Sequence, residues 1–148
     1  MKRLRREDID LIRALIPAVM KGKVAPDDEA AIDHTLRSFD TLLDDLSEPV
    51  VAGVLQAFDL LNLGLTRGLT TGQWAAWSKA SLRDAESALA RLRDSGIGLL
   101  NAVYAAMIRL IVSAYFLIPE NAAATGYRPP QKIQSVSRVA APAEEAIP

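Results

Sequence analysis

Few side chains in this sequence are of the kinds that do chemistry. The single histidine, His34, would need a shaped pocket and a polar partner to serve as a general base or haem ligand. On a helix with Ile32 and Leu36 turned inward it falls on the outer side with Arg37 and Thr41, a surface position. Asp27, Asp28 and Glu29, and again Asp44 and Asp45, offer the hard oxygen ligands that suit Ca²⁺ or Mg²⁺. The same acids also suit a helix N-terminus, where they face the positive end of the dipole, and an exposed helix end. There is no cysteine, which removes disulfides, thiolate metal sites and cysteine nucleophiles together. No glycine-rich loop follows a strand pattern, so no nucleotide fingerprint is present. Catalytic, cofactor-binding and metal-binding residues are therefore expected to be absent from this chain.

Two constellations remain. Trp74 and Trp77 stand three apart, a spacing that could seat both in a partner's groove or against a cofactor, and that equally serves core packing. Asp59 lies inside the apolar run 57–61, and Arg109 inside the longest apolar run of the chain. A buried charge needs a partner, so these two are the candidate buried ion pair; the alternative is that each reaches solvent at an edge.

The elements that must position these residues read as helices. Ile9, Ile12, Ile16 and Val19 recur at helical spacing, and Pro17 must kink or end that helix nearby. Pro26 and the acids after it open a second helix with the stripe Ile32, Leu36, Phe39, Leu43 and Leu46. Ser47 is a plausible N-cap for a third, ended by Gly64 and Gly68. Thr70 and Gln73 resemble a capping box opening a segment that carries both tryptophans in its first turns. That segment runs to Asp94 or breaks near 79–81, where Ser81 and Asp84 could cap a second piece.

The run 97–118 is apolar around most of its circumference, as in a core helix or a membrane span. About 20 apolar residues cross a bilayer, but Arg109 near its middle would cost roughly 2.5 to 3.5 kcal/mol on insertion scales. A buried core helix is expected, and no transmembrane segment. Pro119 closes it. From Asn121 onward prolines and alanines replace the helical stripe.

Composition agrees. A chain of 148 residues, half of them hydrophobic and only 5% aromatic, is one domain's worth and favours an all-α class. A formal net charge of −1 leaves no basic surplus for a nucleic-acid backbone. The expectation is a compact bundle of five or six helices around a central apolar helix at about 97–118. Its organisation is a basic segment at 1–6, a helical domain at 7–120 and an extended or disordered tail at 121–148.

Taken in order, the sequence resembles a known family. Ala14-Leu15-Ile16-Pro17, the run from Pro26 to Asp33, and Phe58-Asp59-Leu60-Leu61 are followed by Trp74, Trp77, Arg91-Leu92-Arg93-Asp94-Ser95, Tyr104, Tyr115, Pro119 and Gly126-Tyr127-Arg128-Pro129-Pro130. This order is similar to small subunits encoded beside flavin-dependent dehydrogenases of the glucose–methanol–choline type, known as gluconate 2-dehydrogenase subunit 3-like or twin-arginine-signal proteins. The resemblance covers about residues 8 to 130 and rests on joint order, since none of these motifs is specific alone.

The resemblance implies an all-α, non-catalytic accessory subunit that stabilises, matures or helps export an FAD-dependent alcohol, sugar or sterol dehydrogenase. Flavin and catalytic base would sit in the large subunit, with electrons passed to a cytochrome c or quinone and the hetero-oligomer in the periplasm. Arg5-Arg6 is followed by Glu7 and Asp8 in place of the apolar run of an export signal; without such a signal the complex would stay cytoplasmic. Ile133, Val136 and Val139, three apart beyond Pro129-Pro130, suit an extended arm seated in pockets on the partner. The candidate partner-binding residues are thus Trp74, Trp77, Tyr127, Pro129, Pro130, Ile133, Val136 and Val139. The alternative function is a stand-alone helical module holding an apolar small molecule.

Overall fold

The computed structural model describes residues 3–124, which form an all-α fold: seven α-helices and one 3-10 turn, with no strand among the described residues. The helices are α1 (Arg6–Val19), α2 (Glu29–Asp45), α3 (Glu48–Asn62), α4 (Gly64–Thr71), α5 (Leu82–Arg93), α6 (Gly98–Leu117) and α7 (Pro119–Ala124), with the 3-10 turn at Trp77–Lys79 between α4 and α5. The chain divides into a unit ending at Ile118 and a second unit beginning at Pro119. Of the second, α7 is the described part. Pro119 opens it at a position where the missing N–H has no intrahelical role, so 119–124 is helical where the prolines and alanines suggested a tail. Tyr127, Pro129, Pro130, Ile133, Val136 and Val139 lie outside the described residues.

Within the first unit, α1 packs against α2, α3, α5, α6 and the 3-10 turn. Its Leu11, Ile12 and Ile16 are fully enclosed, and Pro17 sits within two residues of the helix end, where the loss of one hydrogen bond is least disruptive. Asp28 caps α2, accepting from Ala31 N at 3.1 Å, and Phe39 on α2 meets Phe58 on α3 with ring centroids 6.1 Å apart. Full burial of such a side chain contributes about 1.5–3 kcal/mol.

The apolar helix α6 forms one wall of this core. Leu100, Val103, Met107, Ile111 and Ala114 are buried at spacings of three and four, against α1, α2 and α5. Ser38 on α2 donates to the Ala114 carbonyl at 2.6 Å. The helix is long and apolar enough to cross a bilayer by length and composition, and 28% of its most apolar window is buried. Its enclosure is therefore along one stripe, not all round as a core helix would be.

The count of seven exceeds five or six because α4, within the stretch 62–81, and α7 are helices that the sequence pattern did not announce. Gly64 begins a helix instead of ending one, and α4 runs to Thr71, so Thr70 closes a helix and is no N-cap. Gly72 then turns the chain with φ 77°, a left-handed conformation that glycine adopts without steric cost. Of the two alternatives, a helix running to Asp94 or a break near 79–81, the structure has the break, with Ser81 and Asp84 forming a capping box at 3.0 and 3.1 Å.

Candidate interaction surfaces

His34 is exposed on α2, and no group of three His, Asp or Glu side chains is placed to hold a metal among the described residues. Asp59 and Arg109 do not form a buried pair. Both are exposed: Asp59 bonds the Arg5 guanidinium, and Arg109, on the outer face of α6, makes no ion pair among the described residues. An apolar sequence neighbourhood implied burial for each, but on a helix the flank decides, and these two stand on flanks that face water.

The partner of Asp59 belongs to an N-terminal strap. Arg5 donates to Asp8 through Nε and Nη2, both at 3.1 Å, and its backbone N bonds Asp8 Oδ2 at 3.0 Å. The Asp8 carboxylate is wholly buried and accepts a further bond from Asn62 Nδ2 at 2.8 Å. Arg3 reaches Asp44 at 3.0 Å and Glu48 at 2.9 Å, and Leu4 between the two arginines is buried. The guanidinium of Arg3, donating to Glu48, holds that carboxyl below its ordinary range; Asp8 and Asp59 raise Arg5 further above neutrality. The paired arginines noted at the N-terminus thus include one, Arg5, that serves the fold.

The tryptophans have separate fates. Trp77 is 3% exposed, and its indole N–H reaches the Leu61 carbonyl, so it is a core residue and not a partner contact. Trp74 is 61% exposed. It lies in the loop after α4, with its ring against Gly68, where any Cβ would collide with it. Arg67 fixes this loop: Nε donates to Gln73 O at 3.0 Å, Nη2 to Trp74 O at 2.9 Å and Nη1 to Asn62 O at 2.8 Å.

A second surface lies between α3 and α6. Gly53 and Ala57 on one helix and Ala102 and Ala106 on the other are too short to fill the space between them, leaving an apolar groove of about 520 Å³. Val50, 50% exposed, and Leu99, 66% exposed, extend it with apolar surface, and Gln56 supplies its only polar side chain among the described residues. The sequence showed the apolar excess of α6. It did not show this groove, because nothing in periodicity says that α3 and α6 stand apart. Asn101 was equally hidden: its amide bonds the carbonyls of Leu92, Arg93 and Ser95 at 2.9 to 3.1 Å, closing the end of α5.

Comparison with protein-family models, with curated proteins and with solved structures gives no match to this chain.

Proposed function

We propose that the chain is a non-catalytic accessory subunit of a flavin-dependent dehydrogenase of the glucose–methanol–choline type, binding and stabilising the large subunit that carries FAD. The observation behind this reading is the uncovered apolar groove between α3 and α6, with Val50 and Leu99 left in solvent. Contiguous apolar surface of this kind on a small domain marks a face that another molecule covers. The order of residues from 8 to 130 supports a dehydrogenase large subunit as that molecule, with a cytochrome c as a further member of the assembly. Comparisons with known proteins add nothing to this identification.

The test is co-expression with the reading frame adjacent to this one. Copurification of a yellow, flavin-bearing protein at one-to-one ratio is expected. A monodisperse, stable monomer that ignores its neighbour would remove the reading. The same groove supports a second one, since about 520 Å³ falls within the roughly 300–1,000 Å³ of ligand pockets: a module that holds an apolar small molecule. Native mass spectrometry of the chain purified alone separates the two, because a retained stoichiometric ligand belongs only to the second.

A further inference from the structure

We propose that Trp74 is a preorganised docking knob, received by an apolar pocket with a carboxylate rim on the large subunit; this rests on the accessory-subunit reading. An indole left in water ordinarily folds onto the nearest apolar surface. Here the ring rests on the α4 backbone at Gly68 and still leaves 61% of the residue in solvent. One guanidinium, that of Arg67, ties the carbonyls of Gln73 and Trp74 to the end of α3. Gly68 gives the ring a bare backbone to lie on, and Gly72, with φ 77°, turns the chain out of α4. A side chain already held in one position loses little freedom on binding, the usual basis of tight anchoring by exposed aromatics. Leu69, next to Gly68 and 63% exposed, adds apolar surface.

Charge identifies the receiving surface. Among the described residues Arg67 bonds only neutral carbonyls. Arg91 runs beside Gly72, its Cδ 3.1 Å from where a Cβ would stand, and has no ion pair or hydrogen bond among the described residues. Two cations that pair with no carboxylate among the described residues, beside an exposed indole, complement an apolar pocket rimmed by Asp or Glu. An anionic membrane fits less well, because membrane-directed basic clusters hold about four to eight Lys or Arg, and the formal net charge of this chain is −1.

The test uses the complex of the full chain with the large subunit encoded beside it. Dissociation is measured for the native chain, Trp74→Ala, Gly68→Ala and Arg91→Glu, with circular dichroism melting of each chain as the folding control. Trp74→Ala should speed dissociation about 30-fold, Gly68→Ala comparably by displacing the ring, and Arg91→Glu about fivefold with weakened salt dependence. Oxidative footprinting of the native chain covers the case of a variant that fails to fold: Trp74 should be oxidised in the free chain and protected in the complex. A complex that forms normally, dissociates unchanged in all three variants and leaves Trp74 open to oxidation overturns the docking knob while sparing the accessory role. If the native chains do not associate at all, both fall. Binding of the native chain to phosphatidylserine vesicles, abolished by Trp74→Ala, would replace the protein partner with a membrane and overturn the proposal as stated.

Discussion

The indole Nε1 of Trp77 donates to the Leu61 carbonyl at 2.8 Å, tying the 3-10 turn to the last turn of α3. That carbonyl is one of the orphan acceptors every helix leaves at its C-terminus. Its neighbours are satisfied in the same way: Thr66 Oγ donates to Leu60 O at 2.7 Å and Arg67 Nη1 to Asn62 O at 2.8 Å. The end of α3 is therefore capped by side chains from α4 and the turn.

Trp77→Phe keeps most of the ring but leaves the Leu61 carbonyl buried without its donor, and should cost about 1–3 kcal/mol. Trp77→Ala should cost about 3–5 kcal/mol by adding a cavity. Urea unfolding monitored by circular dichroism measures both, and equal losses for the two variants would mean that the hydrogen bond contributes nothing apart from the ring.

Asp8, at the start of α1, meets this same end of α3 through Asn62. Its carboxylate has no exposed surface and is bonded by Arg5 and Asn62. Asp8→Ala removes one side of a buried charged network, and such changes cost about 3–5 kcal/mol. Asn62→Ala should cost less, and the double variant should lose less than the sum, since the residues share one hydrogen bond. Additive losses would show that the two side chains act independently.

What was legible in the sequence was whatever short-range rules govern. The stripe Ile32, Leu36, Phe39 and Leu43 is buried as its spacing implied, and the Ser81–Asp84 box caps α5. The chain was misread where a tertiary contact outweighs a local signal. Gly68 looked like a helix stop, yet it lies inside α4, where its missing side chain makes room for Trp74. Thr70 and Gln73 looked like a cap, but Gly72 turns the chain between them. Of the proposed interaction surface, Trp74 could be named in advance, while Arg67 and Arg91 could not, because their placement depends on a loop geometry that no periodicity encodes.

The strap predicts an acid response with a definite sign. Arg3 lowers the Glu48 carboxyl below its ordinary value of about 4.5, and Arg93 lowers Asp94 below about 3.8. A depressed folded-state pKa means that the contribution is fully present above the unfolded value and is lost as pH falls through the folded one. The melting temperature should therefore hold from neutral pH down to about 5 and decline below the ordinary carboxylate range. Both carboxylates lie largely in solvent, so the effect is small and weakens with salt. Glu48→Gln should flatten the decline when melting is followed from pH 6 to pH 2; an identical pH profile in the variant would show that the strap carboxylate does not contribute.

The last prediction concerns Asp59 and Arg109, adjacent in expectation and separate in the fold. Asp59 is bound by Arg5 with 60% of its side chain exposed, and Arg109 on α6 is exposed with no ion pair among the described residues. Asp59→Asn should therefore cost no more than about 1 kcal/mol, as for a surface ion pair. Arg109→Met should be close to neutral, within about 0.5 kcal/mol, because the residue is exposed and has no ion pair among the described residues. Residues without a shared partner add within about 0.3–0.5 kcal/mol, so the double variant should equal the sum of the two. The contrasting cycle, Asp59→Asn with Arg5→Met, should be non-additive, since these side chains meet. Chemical denaturation of both sets under one buffer distinguishes the cases. Coupling between 59 and 109 above about 0.5 kcal/mol, with none between 59 and 5, would contradict the placement of Arg5 across α3.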